Sequence, residues 1–288
     1  MAKVVLVGYD KMLYSLIKGI EASNHTILGV FRNDRIKYSP FWLFFKDIFN
    51  PSLDFVNIRA KKLYDIKGRS VNSNKFISEI KRLKPDLIIV GSWAEKFKAE
   101  ILSLVPCINF HPALLPKNRG ANPYFWSIYL NQNITGLTAH FMNEKFDRGD
   151  ILLQEAITID KEETGASLKD KTTRLAVSMV GEVLDLFDKN MLQPIKQSEK
   201  FASYEPQLTE KNLIIDLNKT KEEVYRHLRA LYPWATPYVE LNCGYVPVKK
   251  YEFLELDECD KENYTLIEKT RNYIVLKGSD FLIKIYSG

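Results

Sequence analysis

The sequence has few cysteines and no long apolar run. Its three cysteines, Cys107, Cys243 and Cys259, lack the spacing of metal ligands and leave an odd thiol, which is typical of a reducing cytosol. No stretch approaches the roughly 20 apolar residues that a helix needs to span a bilayer. The chain opens directly on a strand-like run, so we expect no signal peptide. We therefore predict a cytoplasmic protein with no membrane partner and no bound metal.

The chain also lacks a glycine-rich nucleotide signature and a strong charge of either sign. The first turn, Gly8-Tyr9-Asp10-Lys11, has no G-x-G-x-x-G pattern, which argues against a nicotinamide-type dinucleotide. The net charge is +5, but residues 210–288 contain 12 basic and 13 acidic residues. Because grip on nucleic acid scales with the number of neutralised phosphates, a neutral C-terminal region argues against a nucleic-acid partner.

Apolar strands and amphipathic helices alternate along most of the first 190 residues. A strand over 3–8, a helix over 11–22 and a strand over 26–31 indicate parallel pairing with a right-handed crossover. The same patterns predict later helices over 74–83, 96–102, 122–130 and 167–189, and strands over 86–90, 135–142 and 151–159. The fold class is therefore α/β, with a mostly parallel sheet.

A polar, irregular stretch over 193–209 separates this pattern from the rest of the chain. We read it as a linker between a domain over 1–192 and a small β-rich domain over 210–288, plausibly a barrel. The second domain is predicted to contain a helix over 220–231 and strands over 237–241, 246–254, 264–267, 273–276 and 281–285.

The chain is organised around the stretch that contains Asn109 and His111. These two residues are two apart on extended backbone, so their side chains leave the same face, and prolines stiffen the turn that follows. An amide beside an imidazole resembles an oxyanion site, for which Asp147, in a later turn, can supply a carboxylate. Each residue alone has a plainer interpretation: a loop amide, a strand-end histidine and a turn acid.

Together, these residues and their surroundings resemble the formyltetrahydrofolate-dependent formyltransferase family. The features are Asn109-x-His111, the Leu114-Leu115-Pro116 turn, Arg119-Gly120 and Asp147-x-Gly149. The resemblance is strong over 80–160 and looser over 1–190. It implies a Rossmann-like N-terminal domain, a 10-formyltetrahydrofolate donor and an amine acceptor. The barrel that the strand pattern predicts for the C-terminal domain is expected to be OB-like. It also implies that Asn109, His111 and Asp147 are catalytic.

The resemblance further implies where the two substrates bind. The folate pocket is expected at the carboxyl ends of the strands, lined by Val90, Gly91, Ser92, Trp93, Leu114, Leu115, Phe141, Asn143 and Asp147. The expected acceptor contacts are Arg119, Tyr124, Trp126 and His140. Trp93 and His140 could equally be core residues, and the packing of the loop could equally explain Arg119.

Several family members differ in the amine that they formylate. Methionyl-tRNA formyltransferases usually have a basic insertion after the second strand and a basic C-terminal domain, whereas residues 39–45 are aromatic here and the C-terminal region is neutral. Glycinamide ribonucleotide transformylases normally lack a β-rich extension, and formyltetrahydrofolate hydrolases usually carry a preceding regulatory domain. The aromatics over 38–49 could stack a nucleobase, fill a core or form a homodimer interface.

We therefore predict a sugar N-formyltransferase that acts on a nucleotide-linked amino-deoxysugar, such as a dTDP-amino-dideoxyhexose of lipopolysaccharide O-antigen biosynthesis. Methionyl-tRNA formyltransferase is the alternative. A non-catalytic folate- or nucleotide-binding module is a third hypothesis. The sequence leaves open the sugar, the nucleotide and the amino position.

Overall fold

A computed structural model describes residues 1–32, 63–241, 244–256 and 266–286. The aromatic stretch 38–49 lies outside the described residues. The chain divides into two compact units: unit 1 comprises Met1–Gly120, Ile134–Thr158 and Asp170–Tyr204, and unit 2 comprises Ala121–Asn133, Ile159–Lys169 and Glu205–Gly288. The predicted linker 193–209 is thus shared between the units, while the predicted domain limits 1–192 and 210–288 stay a prediction.

The strands and helices follow the predicted order along the chain. The strands are β1 Lys3–Gly8, β2 Thr26–Arg32, β3 Asp65–Ile66, β4 Leu87–Gly91, β5 Cys107–His111, β6 Arg119–Gly120, β7 Ile134–Phe141, β8 Ile151–Thr158, β9 Tyr204–Glu205, β10 Tyr238–Leu241, β11 Gly244–Pro247, β12 Tyr251–Leu254, β13 Leu266–Lys269, β14 Tyr273–Lys277 and β15 Leu282–Tyr286. The α-helices are Asp10–Glu21, Asn74–Leu83, Ala99–Leu102, Pro123–Tyr129, Gly165–Asp188 and Lys221–Leu231, and 3-10 helices cover Glu199–Phe201 and Glu210–Leu213. None of these described helices meets the length and apolarity that a membrane span requires.

Unit 1 is built on a seven-stranded sheet of order β3-β2-β1-β4-β5-β7-β8. The first five strands in that order are parallel, whereas β7 pairs antiparallel with both β5 and β8. The predicted α/β class with a mostly parallel sheet is therefore confirmed.

Both faces of this sheet are covered, which explains the nearly continuous apolar character of its central strands. Alternate residues of β1 point to opposite faces: Val4 and Leu6 belong to one buried cluster, and Val5 and Val7 to the other. The helix Gly165–Asp188 covers the first face with residues spaced three or four apart: Ala176, Met179, Val180, Val183 and Leu184.

The helix predicted over 96–102 begins only at Ala99. Asn72 explains the late start, because its side chain holds the preceding backbone in a non-helical shape. Its Nδ2 donates to the carbonyl of Lys96 at 2.8 Å, and its Oδ1 accepts from the N–H of Lys98 at 2.8 Å. Hydrogen bonds between residues so far apart in the chain cannot be predicted from the local sequence.

Strands β1 and β4 pack so closely at their carboxyl ends that Gly8 tolerates no side chain. A Cβ on Gly8 would lie 2.1 Å from the carbonyl oxygen of Gly91. We expect Gly8→Ala to destabilise the protein by about 3 kcal/mol, the upper end of the usual cost of overpacking. Gly181→Ala is the control, because its nearest neighbour would be 3.7 Å away, and it should stabilise the helix by up to about 1 kcal/mol. Urea unfolding of both variants measures the difference, and equal stabilities would contradict it.

Unit 2 contains a two-stranded sheet, β10-β11, and a four-stranded sheet of order β12-β15-β14-β13. Its β-rich character is confirmed, but the described strands form two antiparallel sheets and not one closed barrel. The strand predicted over 246–254 is two strands, β11 and β12. Val248 still follows the β10–β11 register, because its N–H donates to the carbonyl of Pro237 at 2.8 Å, and the chain then bends at Lys249 and Lys250 before β12.

Candidate active site

Asn109 and His111 lie on β5, at the point where the sheet changes from parallel to antiparallel pairing. The β5–β7 register places Asn109 directly opposite His140 and His111 opposite Thr138. Residues directly opposite on neighbouring strands have adjacent side chains. His140, which the sequence suggested as an acceptor contact or a core residue, is therefore a neighbour of Asn109.

Asp147 reaches this pair from the turn between β7 and β8. The turn is tight: Asp147 has a φ of 54°, and a Cβ on Gly149 would lie 1.7 Å from the carbonyl oxygen of Phe141. The carboxylate Oδ1 lies 3.4 Å from Asn109 Nδ2, 3.5 Å from His111 Nδ1 and 3.6 Å from His140 Nε2. Two of the residues that the sequence picked out, Asn109 and His111, together with His140, thus surround one carboxylate oxygen of the third, Asp147.

Backbone carbonyls assign the tautomers of both histidines. His111 Nε2 lies 2.8 Å from the carbonyl oxygen of Asn118, and His140 Nδ1 lies 2.7 Å from that of Phe141. A carbonyl only accepts hydrogen bonds, so each of these nitrogens carries a proton. His140 Nε2 lies 3.1 Å from Asn109 Nδ2, so it accepts from that amide when the ring is neutral and can donate to Asp147 when the ring is protonated. On His111, the other ring nitrogen, Nδ1, faces Asp147.

The surroundings keep Asp147 ionised although it is only 8% exposed. Burial by itself raises the pKa of the carboxyl, but the charge on His111, the nearby His140 and a 2.8 Å hydrogen bond from the Gly120 N–H outweigh burial. The net effect lowers the pKa of Asp147 from 3.8 to about 2. The carboxylate is therefore negatively charged at any physiological pH.

This low pKa predicts a specific acid sensitivity of the fold. Because Asp147 ionises more readily in the folded than in the unfolded chain, its contribution is complete above about pH 4 and is lost as the pH falls towards 2. Between pH 4 and pH 2, we expect the free energy of unfolding to fall by about 2 kcal/mol more in the native protein than in the Asp147→Asn variant. Urea titrations at several pH values measure both, and identical acid dependence of the two proteins would contradict the assignment.

Of the two interpretations of Arg119 that the sequence left open, substrate contact and packing of the loop, the structure favours packing. The Arg119 side chain is 1% exposed, and its guanidinium is bound by Gln197 Oε1 and by the carboxylate of Glu199. These partners occupy the donors that a substrate phosphate or carboxylate would need. Arg119 is therefore a buried structural cation of unit 1.

The other predicted acceptor contacts, Tyr124 and Trp126, belong to unit 2. The ring of Tyr124 stacks on that of Trp234 with centroids 5.8 Å apart. Trp126 is 9% exposed, and its indole N–H donates to the carbonyl of Pro206 at 3.0 Å. Both rings thus already have packing partners within unit 2.

The predicted folate-lining residues have different environments. Val90 and Gly91 are buried at the end of β4, where the register places them opposite Asn109 and Phe110. Ser92 follows with a φ of 56°, and Trp93 is half-buried against Phe31. Among the described residues, nothing accepts a hydrogen bond from the Trp93 indole N–H.

The remaining members of that set are divided between core and loop. Leu115 is 3% exposed, its N–H donates to Thr138, and its carbonyl accepts from Gln154. Leu114 packs against Gly136, and Phe141 supplies the carbonyl that binds His140. Asn143 is exposed, and its Oδ1 accepts from the Lys145 N–H.

Two residues of the site were missed at the sequence level. Asn118, whose carbonyl fixes His111, lies seven residues downstream with a φ of 55°, and an asparagine before Arg-Gly is the signal that could have suggested a turn there. Gln197 donates to the backbone of Asp147 and Gly149 across 50 and 48 residues. No local pattern signals a contact so distant in sequence.

An amide donor, an imidazole and an ionised carboxylate around one point are the groups that acyl transfer to an amine requires. The described residues hold no group of three side chains suited to a metal ion. The site and the α/β fold thus define a protein of the acyl-transferring class.

Comparison with known proteins finds a family match over part of the chain. Residues 49–184 match the formyl transferase family, in agreement with the sequence resemblance. The chain is also similar to the methionyl-tRNA formyltransferase of Bacillus mycoides, with 28% identity over 287 residues that cover 99% of this chain and 90% of the relative.

Solved structures show the same fold. A 4-N formyltransferase from Francisella tularensis matches with a TM-score of 0.67 and 25% identity, over 86% of this chain and 96% of that one. An N-formyltransferase from Helicobacter canadensis, in complex with folinic acid and dTDP-3-aminofucose, matches with a TM-score of 0.66 and 16% identity over 99% of each chain. HypX from Aquifex aeolicus gives a TM-score of 0.70 at 16% identity, and this chain spans 45% of it.

Proposed function

We propose that the protein transfers the formyl group of 10-formyltetrahydrofolate to the amine of a nucleotide-linked amino-deoxysugar. The observation that carries the formyl-transfer half is the convergence of Asn109, His111 and Asp147 within the part of the chain that matches the formyl transferase family. The folate donor is supported by folate compounds bound in the structural neighbours.

Asn109 and His111 stabilise the charge that develops on the formyl oxygen. As the amine adds to the formyl carbon, that oxygen gains negative charge and needs preorganised donors. Asn109 Nδ2 supplies a neutral N–H, whose present partner, the Asp147 carboxylate, lies 3.4 Å away at the long end of hydrogen bonding. His111 supplies positive charge when its Nδ1 is protonated, and that nitrogen lies 3.5 Å from the Asp147 carboxylate.

Asp147 and His111 also take part in the transfer of the proton that the amine loses. The attacking nitrogen must release a proton, and the folate nitrogen must gain one to leave. The Asp147 carboxylate is ionised and only 8% exposed, so its charge can stabilise the ammonium that forms on the attacking nitrogen while the proton is relayed to the leaving nitrogen. His111 is locked through Nε2 to Asn118, which keeps Nδ1 directed at Asp147.

The donor is expected beyond the ends of β4 and β5. Open α/β sheets bind ligands in the crevice at the carboxyl ends of their strands. There Ser92 and Trp93 follow β4, and the indole N–H of Trp93 has no protein acceptor among the described residues. The residues fit a pterin, which needs both an apolar wall and polar groups.

The second half of the proposal is that the acceptor is a nucleotide-linked amino sugar. It is supported by the folds of a 4-N formyltransferase and of an enzyme in complex with dTDP-3-aminofucose, both matched over nearly their whole length. The balance of 12 basic and 13 acidic residues over 210–288 also favours a small-molecule acceptor over tRNA. The second candidate, a methionyl-tRNA formyltransferase, is favoured by the 28% identity along 99% of the chain.

A direct competition between acceptors tests this choice. The protein is incubated with 10-formyltetrahydrofolate and either dTDP-3- and dTDP-4-amino-dideoxysugars, UDP-amino sugars or charged initiator tRNA. We expect a formylated nucleotide sugar and no formylated tRNA. Formylation of tRNA alone would reverse the acceptor assignment while leaving formyl transfer intact. Folate binding without any transfer would support the non-catalytic module.

A further inference from the structure

Gln197 uses both ends of its side-chain amide inside unit 1. Its Nε2 donates to the backbone carbonyls of Asp147, at 2.8 Å, and of Gly149, at 2.7 Å. Its Oε1 accepts from Arg119 Nε, at 3.0 Å, and from Arg119 Nη2, at 2.9 Å. Arginine only donates and carbonyls only accept, so these partners assign the orientation of the amide.

Arg119 is in turn fixed against movement. Its guanidinium is 1% exposed, and Glu199 binds Nη1 through both carboxylate oxygens at 3.0 and 3.1 Å. A planar guanidinium held at several nitrogens is a rigid anchor. Gln197 therefore transmits the position of a fixed group to the turn that carries Asp147.

The same anchor reaches Asp147 by a second route. Gly120, the residue after Arg119, donates its N–H to Asp147 Oδ2 at 2.8 Å. The Arg119 side chain thus holds the backbone of Asp147 through Gln197, while the neighbouring Gly120 N–H holds its carboxylate. Both the backbone and the carboxylate of Asp147 are therefore fixed relative to the Arg119–Gly120 segment. Asp147 has a φ of 54°, a value that residues with a side chain rarely adopt.

We propose that Gln197 is a positioning residue for formyl transfer, one that sets the place of the Asp147 carboxylate without touching either substrate. This inference rests on the proposed function, because Gln197 acts through Asp147. Catalytic geometry is sensitive to small displacements, and a shift of about 1 Å can cost a factor of about 10² in rate.

Gln197→Glu isolates this role. The substitution keeps the size of the side chain and the acceptor that binds Arg119, but it removes both N–H donors and turns an oxygen towards two carbonyl oxygens. We expect kcat to fall by roughly 10- to 100-fold, with the KM values of donor and acceptor unchanged. Gln193→Glu makes the same charge change at an exposed position of the same segment, and it should leave kcat unchanged.

A double-mutant cycle decides whether the effect passes through Asp147. In an Asp147→Asn background, adding Gln197→Glu should lower kcat no further, because the group that it positions is already inactive. Additive losses, or a folded Gln197→Glu enzyme with native kcat, would overturn the inference.

The same cycle keeps the two proposals apart. A fully active Asp147→Asn enzyme would contradict the role of Asp147 itself, and this inference with it. If Gln197→Glu does not fold, Gln197→Met, which has a similar length and no hydrogen-bonding amide, replaces it in the cycle. Failure of both variants to fold would make Gln197 a purely structural residue and would overturn the positioning role.

Discussion

Asp147→Asn is expected to lower kcat by about 10³-fold, within the range that positioned acid–base groups contribute. Asparagine has the same shape, and its Oδ1 can still accept the Gly120 N–H that binds the native carboxylate at 2.8 Å. It carries no charge, however, and cannot stabilise the ammonium that forms on the attacking nitrogen. The loss therefore reflects chemistry rather than folding. Single-turnover transfer with both substrates saturating measures it, beside the melting temperature.

Asp150→Asn is the matched control for this substitution. Asp150 lies three residues away in the same turn and contributes its backbone carbonyl to Phe141 N–H. Its carboxylate takes no part in the proposed reaction, so transfer by Asp150→Asn should equal that of the native enzyme. Native turnover by Asp147→Asn, or an equal loss in both variants, would show that the proton path does not use Asp147.

Asn109→Ala is expected to lower kcat by about 10²–10³-fold, the usual cost of removing one donor to a developing oxyanion. Because this interaction strengthens only as the formyl oxygen gains charge, kcat and kcat/KM should fall by the same factor. Steady-state kinetics over both substrates measures the two constants. A raised KM with native kcat would instead mean that Asn109 only holds the substrate in its ground state.

Asn24→Ala provides the comparison for Asn109→Ala. Asn24 is exposed in unit 1 and lies outside the site. The variant should keep native kinetics, which shows that loss of an asparagine amide as such has no effect. The melting temperatures of both variants verify that the kinetic difference arises in folded protein.

The sheet and its order along the chain could be predicted because they depend on local periodicity. Apolar runs such as 3–8 and 86–90 lie within one or two residues of β1 and β4. The antiparallel direction of β7 and β8 was not predictable in that way, since alternation marks a strand but not its direction.

The same distinction between local pattern and distant contacts applies to the residues of the site. Asn109 and His111 are adjacent because strand geometry places residues two apart on one face, which the sequence alone implies. The sequence could not decide between the two interpretations of Arg119, because its partners Gln197 and Glu199 lie some 80 residues downstream. The place of His140 beside Asn109 follows from the β5–β7 register, which only the fold determines.

The most direct test of the account is a crystal structure of the protein with 5-formyltetrahydrofolate and a dTDP-amino sugar. We predict that the formyl group lies beside β5, with its oxygen about 3 Å from Asn109 Nδ2 and within reach of His111. The acceptor amine should then lie between the formyl carbon and the Asp147 carboxylate. A folate bound away from β5, or an amine separated from Asp147 by other side chains, would contradict the account.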